Sequence, residues 1–147
     1  MYDCGGAREE GEVRAEILRE VPEMARGEVE EYLSGKRREF SEEVVGWVRG
    51  EMEGAEFARV VWGEMLQIPY GEVRSYWEIA AAIGKPGAAR AVGLACGKNK
   101  FPVVVPCHRV VASGGKLGGF SLGLAMKKKL LEIEGWKVVG NGAIMRG

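Results

Sequence analysis

The chain has 147 residues, room for one ordinary domain or one domain with a small appendage, and 46% of them are hydrophobic, enough for a core. Its 21 basic and 21 acidic residues cancel, which excludes a nucleic-acid partner held by overall charge; any such binding must use a local patch. Three cysteines (Cys4, Cys96 and Cys107) with no CxxC pair, beside a single histidine, argue against a metal site and against a disulfide framework.

The first residues, MYDCGGAREEGEV, have neither a basic start nor an apolar stretch, and no run approaches the ~18 apolar residues of a membrane span. A soluble, reduced, intracellular protein is expected. Glu and Arg dominate up to about residue 52, and apolar runs, glycines and prolines take over from Phe57, which sets a boundary near Gly50 to Gly54 and domains at 1–52 and 53–147. In the first part Val13 to Val21 and Gly27 to Leu33 read as short amphipathic segments, with a stop at Gly35 before Lys36, Arg37 and Arg38. The charge run reads as a solvated face.

In the second part Phe57 to Leu66 puts Phe57, Val60, Val61 and Met65 on one helical stripe, predicted to face the core. After the turn at Ile68–Gly71, Ser75 and Glu78 stand at capping-box spacing and open a helix to Ile83, stopped by Gly84. The next helix is predicted from Lys85 and Pro86 to near Gly97. Two short helices joined by a tight turn form a helix-turn-helix candidate, a pattern that any pair of packed helices shares. Phe101 to Val105 and Val110 to Val111 read as short strands, with a turn at Ser113, Gly114 and Gly115. Leu124 to Glu134 returns to helix, closed by Gly135.

The chemistry centres on Pro106, Cys107, His108 and Arg109. A free thiol with a pKa of about 8.5 is a poor nucleophile at neutral pH, so a reactive cysteine needs a base or a positive charge nearby, and His108 is the only histidine. The alternative is a small core cysteine beside a satisfied loop histidine. Adjacent side chains on extended backbone point apart, so cooperation requires a turn, a helix start or an intervening water. A histidine acting as base needs a partner on its other nitrogen, and Glu134 is the candidate. Its charge sits at a helix C-terminus, where the dipole disfavours it by roughly 0.3–1 kcal/mol. In this reading Lys127, Lys128 and Lys129 belong to the charged surface of the same helix.

The run VPCHRVV from Val105 to Val111 resembles the active-site motif of the O6-alkylguanine-DNA alkyltransferases, the methylated-DNA–protein-cysteine methyltransferases. The similarity extends from Phe57 to about Val138 through GEVRSYWEIAAAIG, the AARAVG helix, Asn99 and LLEIEGW. It implies an α+β fold: a mainly helical C-terminal domain with a winged helix-turn-helix-like DNA-binding fold and a short β element at the active site, after a shortened N-terminal domain. Only GEVEEYLSGKRREF carries the likeness there, and the sheet of relatives is expected to be partly or wholly missing.

The resemblance implies that Cys107 accepts the alkyl group and that His108 deprotonates it through a water while Glu134 orients His108. Asn99 ties the turn that joins the recognition elements to the site. Tyr76 lines the guanine pocket, presses the nucleotide outward and donates to the ring at N3. The carbonyls of Cys107 and Val110 take the exocyclic amine, and the amide of Ser121 binds O6. Arg90 fills the space left by the flipped base, carried on a low-bulk helix with Ala88 and Ala89 that enters the minor groove, about 6 Å wide, while Ser75 and Tyr76 add to the DNA surface. No cofactor is needed.

The partner implied is double-stranded DNA bearing O6-alkylguanine, with O4-alkylthymine left open as a further substrate, bound by a monomer in the cytoplasm or on the nucleoid, or in the nucleus of a eukaryote. Phe120 stands where many relatives have tyrosine, and Leu122 where glycine is frequent. Two rivals remain: a damage-binding relative, which carries another residue at the cysteine position, and a winged helix-turn-helix regulator, which has no need of Cys107, His108, Glu134 and Asn99.

Overall fold

Helices α1 (Glu10–Glu20) and α2 (Glu23–Leu33) come first and pack on one another, and the computed structural model describes residues 10–120, 123–140 and 142–146. Ile17, Ala25, Val29 and Tyr32 are buried from this pair. Helix α3 (Glu42–Glu51), not anticipated from the sequence, starts at Ser41, whose hydroxyl accepts from Val44 N. Glu28 of α2 accepts from Ser41 N and Oγ at 2.8 and 2.7 Å, locking the two helices together. The described residues before 53 contain three helices and no strand.

Helix α4 (Glu56–Met65) buries Ala58, Val61, Trp62 and Met65, an i, i+3, i+4, i+7 face. This corrects the expected stripe: Val60 is 45% exposed, and Trp62 takes the core instead, its indole N–H donating to Ala95 O at 2.8 Å. Strand β1 (Arg74–Ser75) runs into α5 (Tyr76–Ala82) through the predicted capping box. Ser75 Oγ accepts from Glu78 N at 3.0 Å, and Glu78 Oε1 accepts from Ser75 N at 2.8 Å. Helix α6 (Ala89–Gly97) completes the helix-turn-helix pair. It begins later than predicted because Lys85 to Ala88 closes as a turn, Ala88 N donating to Lys85 O, which leaves Pro86 outside the helix.

Phe101 to Val105 is also corrected, from strand to turn. Val105 N donates back to Phe101 O at 2.9 Å, and Val103 takes φ 76°, a left-handed conformation that costs a β-branched residue about 1–3 kcal/mol. Strand β2 (Val110–Val111) pairs in parallel with β1, Arg74 opposite Val110, so the start of α5 is tied directly to the segment after Cys107. Helix α7 (Leu124–Ile133) leads into the antiparallel hairpin of β3 (Trp136–Val138) and β4 (Ile144–Arg146), which the sequence reading did not include.

The outcome is α+β and mainly helical, with short β pairs beside the Cys107 segment. One core cluster joins Ile17, Val29 and Val48 to Val61, Met65, Ile79, Val105, Met126 and Leu130, and Leu117, Leu131 and Val138 form a smaller one under the hairpin. No helix among the described residues is long and apolar enough to cross a membrane.

Candidate active site

Pro106 caps a single 3₁₀ turn, Cys107–Arg109, and this turn resolves how neighbouring side chains can cooperate: at three residues per turn they splay in different directions instead of to opposite faces. Cys107 is 4% exposed and His108 fully buried. The thiol lines a cavity of about 150 Å³ bounded, among the described residues, by Tyr76, Gly93, Cys96, Gly97, Gly119 and Phe120. Burial pushes the Cys107 pKa up, against the hydrogen bond from Asn99 and the charge of Lys127. Burial thus favours the thiol, so any reaction at the sulfur would first require loss of its proton.

Asn99 bonds to backbone and to sulfur at once. Its Nδ2 donates to Val105 O at 2.9 Å and to Cys107 Sγ at 3.2 Å, and its Oδ1 accepts from Phe101 N at 2.9 Å. One amide therefore clamps the strained turn around Val103 and touches the sulfur, where a donor favours the anionic form.

His108 Nε2 lies 2.8 Å from Glu134 Oε2, while Nδ1 is buried with no hydrogen-bond partner among the described residues. Desolvation lowers the His108 pKa in spite of Glu134, so the ring is neutral near pH 7. Glu134 caps α7 just before Gly135, whose φ of 94° lets the chain turn sharply away. Burial works to raise the pKa of its carboxyl, but hydrogen bonds and charge from His108 and Arg109 prevail and hold it well below the usual carboxylate range.

The sequence reading missed three residues here. Arg109 forks onto Glu134, Nε to Oε1 at 2.9 Å and Nη2 to Oε2 at 2.9 Å, and anchors Ile68 O through Nη1 at 2.7 Å. Tyr32, from α2, donates its hydroxyl to Glu134 Oε2. Lys127, expected on the surface, is fully buried: its Nζ donates to Val110 O at 2.7 Å and Gly119 O at 2.9 Å, and desolvation lowers its pKa to about 8. Arg109 had a readable signal, since a buried carboxylate at a helix C-terminus demands a cation. Tyr32 and Lys127 had none in local sequence.

Tyr76 stands half-buried at the first position of α5, its hydroxyl 3.4 Å from Gly119 O and its pKa raised to about 12 by burial and by Cys96. Gly118, at φ 73°, passes so close that a Cβ there would sit 3.1 Å from the Tyr76 hydroxyl. Arg90 is exposed on α6 with no side-chain hydrogen bond among the described residues; Ala88 and Ala89 lie half-buried at the start of that helix, and Ser75 is half-buried at the cap of α5. Val110 is buried in β2 with its carbonyl toward Lys127. Ser121 lies outside the described residues.

A family profile described as "6-O-methylguanine DNA methyltransferase, DNA binding domain" matches residues 56–136, the stretch that carries this whole arrangement except Tyr32. The chain belongs to this methyltransferase family. A relative named methylated-DNA–protein-cysteine methyltransferase from Mycolicibacterium paratuberculosis is 49% identical over 118 residues, covering 78% of this chain and 68% of its own length. The crystal structure of Mycobacterium tuberculosis OGT in complex with DNA aligns at TM-score 0.68 and 47% identity, over 75% of this chain and 63% of that one. Schizosaccharomyces pombe Atl1, in complex with damaged DNA containing O6-carboxymethylguanine, aligns at TM-score 0.54 and 34% identity, over 65% of this chain and 93% of that one. The chain spans 59–68% of the length of these methyltransferases from mycobacteria.

Proposed function

We infer that the protein repairs DNA by moving an alkyl group from O6 of guanine onto Cys107, and that one molecule repairs one lesion. The observation that carries this reading is the Cys107 sulfur itself, set in a base-sized cavity, touched by Asn99 Nδ2 at 3.2 Å and followed by a histidine already bound to a buried carboxylate. The Cys107 proton passes to His108 Nδ1, directly or through a water, as the sulfur attacks the alkyl carbon. The carbon–oxygen bond breaks, its electron pair stays with guanine, and the ring takes up a proton, for which Tyr76 at N3 is the donor. A thioether remains; it has no activated carbonyl for water to attack, so the sulfur stays spent.

Guanine is selected by the carbonyls of Cys107 and Val110 and the amide of Ser121. Val110 O already accepts from Lys127, and its second lone pair serves the exocyclic amine. On DNA, α6 enters the minor groove with Arg90 in the vacated base position, and Ser75 and Tyr76 meet the backbone at the start of α5. We assign this work to the domain 53–147, with 1–52 a shortened N-terminal domain, in a protein acting as a monomer in the cytoplasm. No cofactor enters the reaction.

Mixing the protein with a duplex containing O6-methylguanine should add one methyl by intact mass, located on Cys107 by peptide mapping and absent in Cys107→Ala. A gain on Cys4 or Cys96 would overturn the assignment. Tight binding without any gain would favour instead the damage-binding role suggested by the likeness to Atl1. Arg90→Ala should slow repair of duplex DNA by about tenfold or more while leaving reaction with free O6-benzylguanine within twofold of wild type, since the free base needs no extrusion. Equal losses on both substrates would contradict the role of Arg90 as a base substitute.

A further inference from the structure

Tyr32 comes from α2, on the far side of the proposed domain boundary from Cys107, yet it is fully buried against the catalytic residues. Its ring packs edge-on to Tyr70 at 6.0 Å between centroids, tilted against Phe40 at 5.9 Å and against His108 at 6.3 Å. The hydroxyl donates to Glu134 Oε2 and lies 3.2 Å from His108 Nε2, which is itself 2.8 Å from that same carboxylate oxygen. Three polar atoms thus form a closed triangle: Tyr32 Oη, His108 Nε2 and Glu134 Oε2.

The proton count in this triangle has one satisfactory solution. A carboxylate can only accept, so the tyrosine proton points to Oε2. Nε2 then faces an oxygen anion and the lone pairs of Oη, and both favour a proton on Nε2. A neutral imidazole with its proton there carries its basic lone pair on Nδ1, the atom left without a partner. With the alternative tautomer, the Nε2 lone pair would face the Oε2 anion at 2.8 Å with no proton between them, and the single hydroxyl proton of Tyr32 could serve only one of the two.

We propose that Tyr32 is a positioning residue for alkyl transfer: its hydroxyl holds the Nε2–H tautomer of His108 and so keeps Nδ1 available to take the Cys107 proton. This rests on the alkyl-transfer reading above. It makes α2 a contributor to the chemistry as well as to the core, because the fold places no other hydroxyl on that oxygen among the described residues. The charged and titratable groups around His108 are Glu134 and Lys127 from α7 and its cap, Arg109 from its own turn, and Tyr32 from α2. Of these only Tyr32 can both donate to Oε2 and accept from Nε2. Burial and the neighbouring Glu134 raise its pKa well above the usual tyrosine value, which keeps it a donor throughout the working range.

The chain has one histidine, so a sample labelled with ¹⁵N-histidine reports His108 alone. In the wild-type protein the ring nitrogens should show the Nε2–H tautomer at neutral pH; an Nδ1–H signature would overturn the proposal without any variant. Tyr32→Phe keeps the ring packing and removes only the hydroxyl. It should mix the tautomers and slow transfer from free O6-benzylguanine by about tenfold, part of the ~10²–10⁴-fold that a positioned base contributes. The acid limb of its rate profile should move to higher pH, since Glu134, with one donor fewer, holds a proton on His108 more strongly. Affinity of the Cys107→Ala form for O6-methylguanine duplex should not change on adding Tyr32→Phe. A Tyr32→Phe protein with a lower melting temperature but a wild-type rate, profile and tautomer would reduce Tyr32 to packing. Failure of the wild-type protein to alkylate Cys107 would instead refute the function itself.

Discussion

Glu134→Ala should abolish efficient transfer and destabilise the protein by about 3–5 kcal/mol, because it strands a buried guanidinium and a buried imidazole that now share one carboxylate. For a chain of this length that is a fall in melting temperature on the order of 10 °C. Arg109 would keep only its bond to Ile68 O, and Gly71 N would lose its acceptor, now 2.9 Å away at Oε1. The effect carries a pH signature. A carboxylate whose folded pKa is depressed contributes stability that is fully present above its unfolded value of about 4.3 and is lost as pH falls through the folded value. The stability gap between wild type and Glu134→Ala, measured by urea unfolding, should therefore be widest near neutrality and narrow in acid. A gap independent of pH from neutrality to below pH 3 would mean that the carboxylate is not the source.

Lys127→Met is expected to separate activity from stability. The ammonium is fully buried, and exchanging a buried charge for an apolar side chain of similar length is commonly neutral or stabilising. The carbonyls of Val110 and Gly119 lose their shared donor, however, and with it the link that fixes the cavity wall against the segment after Cys107. Transfer to Cys107 from free O6-benzylguanine should fall about tenfold or more while the melting temperature holds or rises. A lysine lowered from 10.5 to about 8 in the folded state binds fewer protons than the unfolded chain between those values, so its contribution makes stability rise with pH across that window. In Lys127→Met that rise should be missing. A variant that is both unstable and equally active would refute this account of Lys127.

The parts of the molecule legible in the sequence are those decided by neighbours in the chain. Ser75 and Glu78 are three residues apart, and both halves of their capping box formed. The stop at Gly135 was equally local. Val60 failed because apolarity alone does not tell which of two adjacent faces will be covered; the larger Trp62, with a carbonyl partner on α6, took the interior. Phe101 to Val105 failed because β-branched residues favour extended backbone only when nothing stronger intervenes, and Asn99 supplies two hydrogen bonds, to Val105 O and from Phe101 N, that bend the segment into a turn. Cys107, His108 and Glu134 stood out by residue type and order, and packing sets His108 against Glu134. The tyrosine and lysine that complete their surroundings look like any surface-helix residues until the helices pack. The hairpin after α7 was missed although an Asn-Gly pair, a strong turn signal, stands in the sequence between its strands.

Tyr32 precedes His108 by 76 residues, and Glu134 follows it by 26. On the proposed mechanism, a ribosome that has just added Cys107 has made a sulfur whose proton acceptor is still unoriented, because the segment carrying Glu134 has yet to be synthesised and to close back onto α2. Contacts of such long span form late and depend on most of the intervening chain. For the single-use nucleophile proposed above, this order of assembly leaves the proposed proton acceptor unoriented until most of the chain has folded.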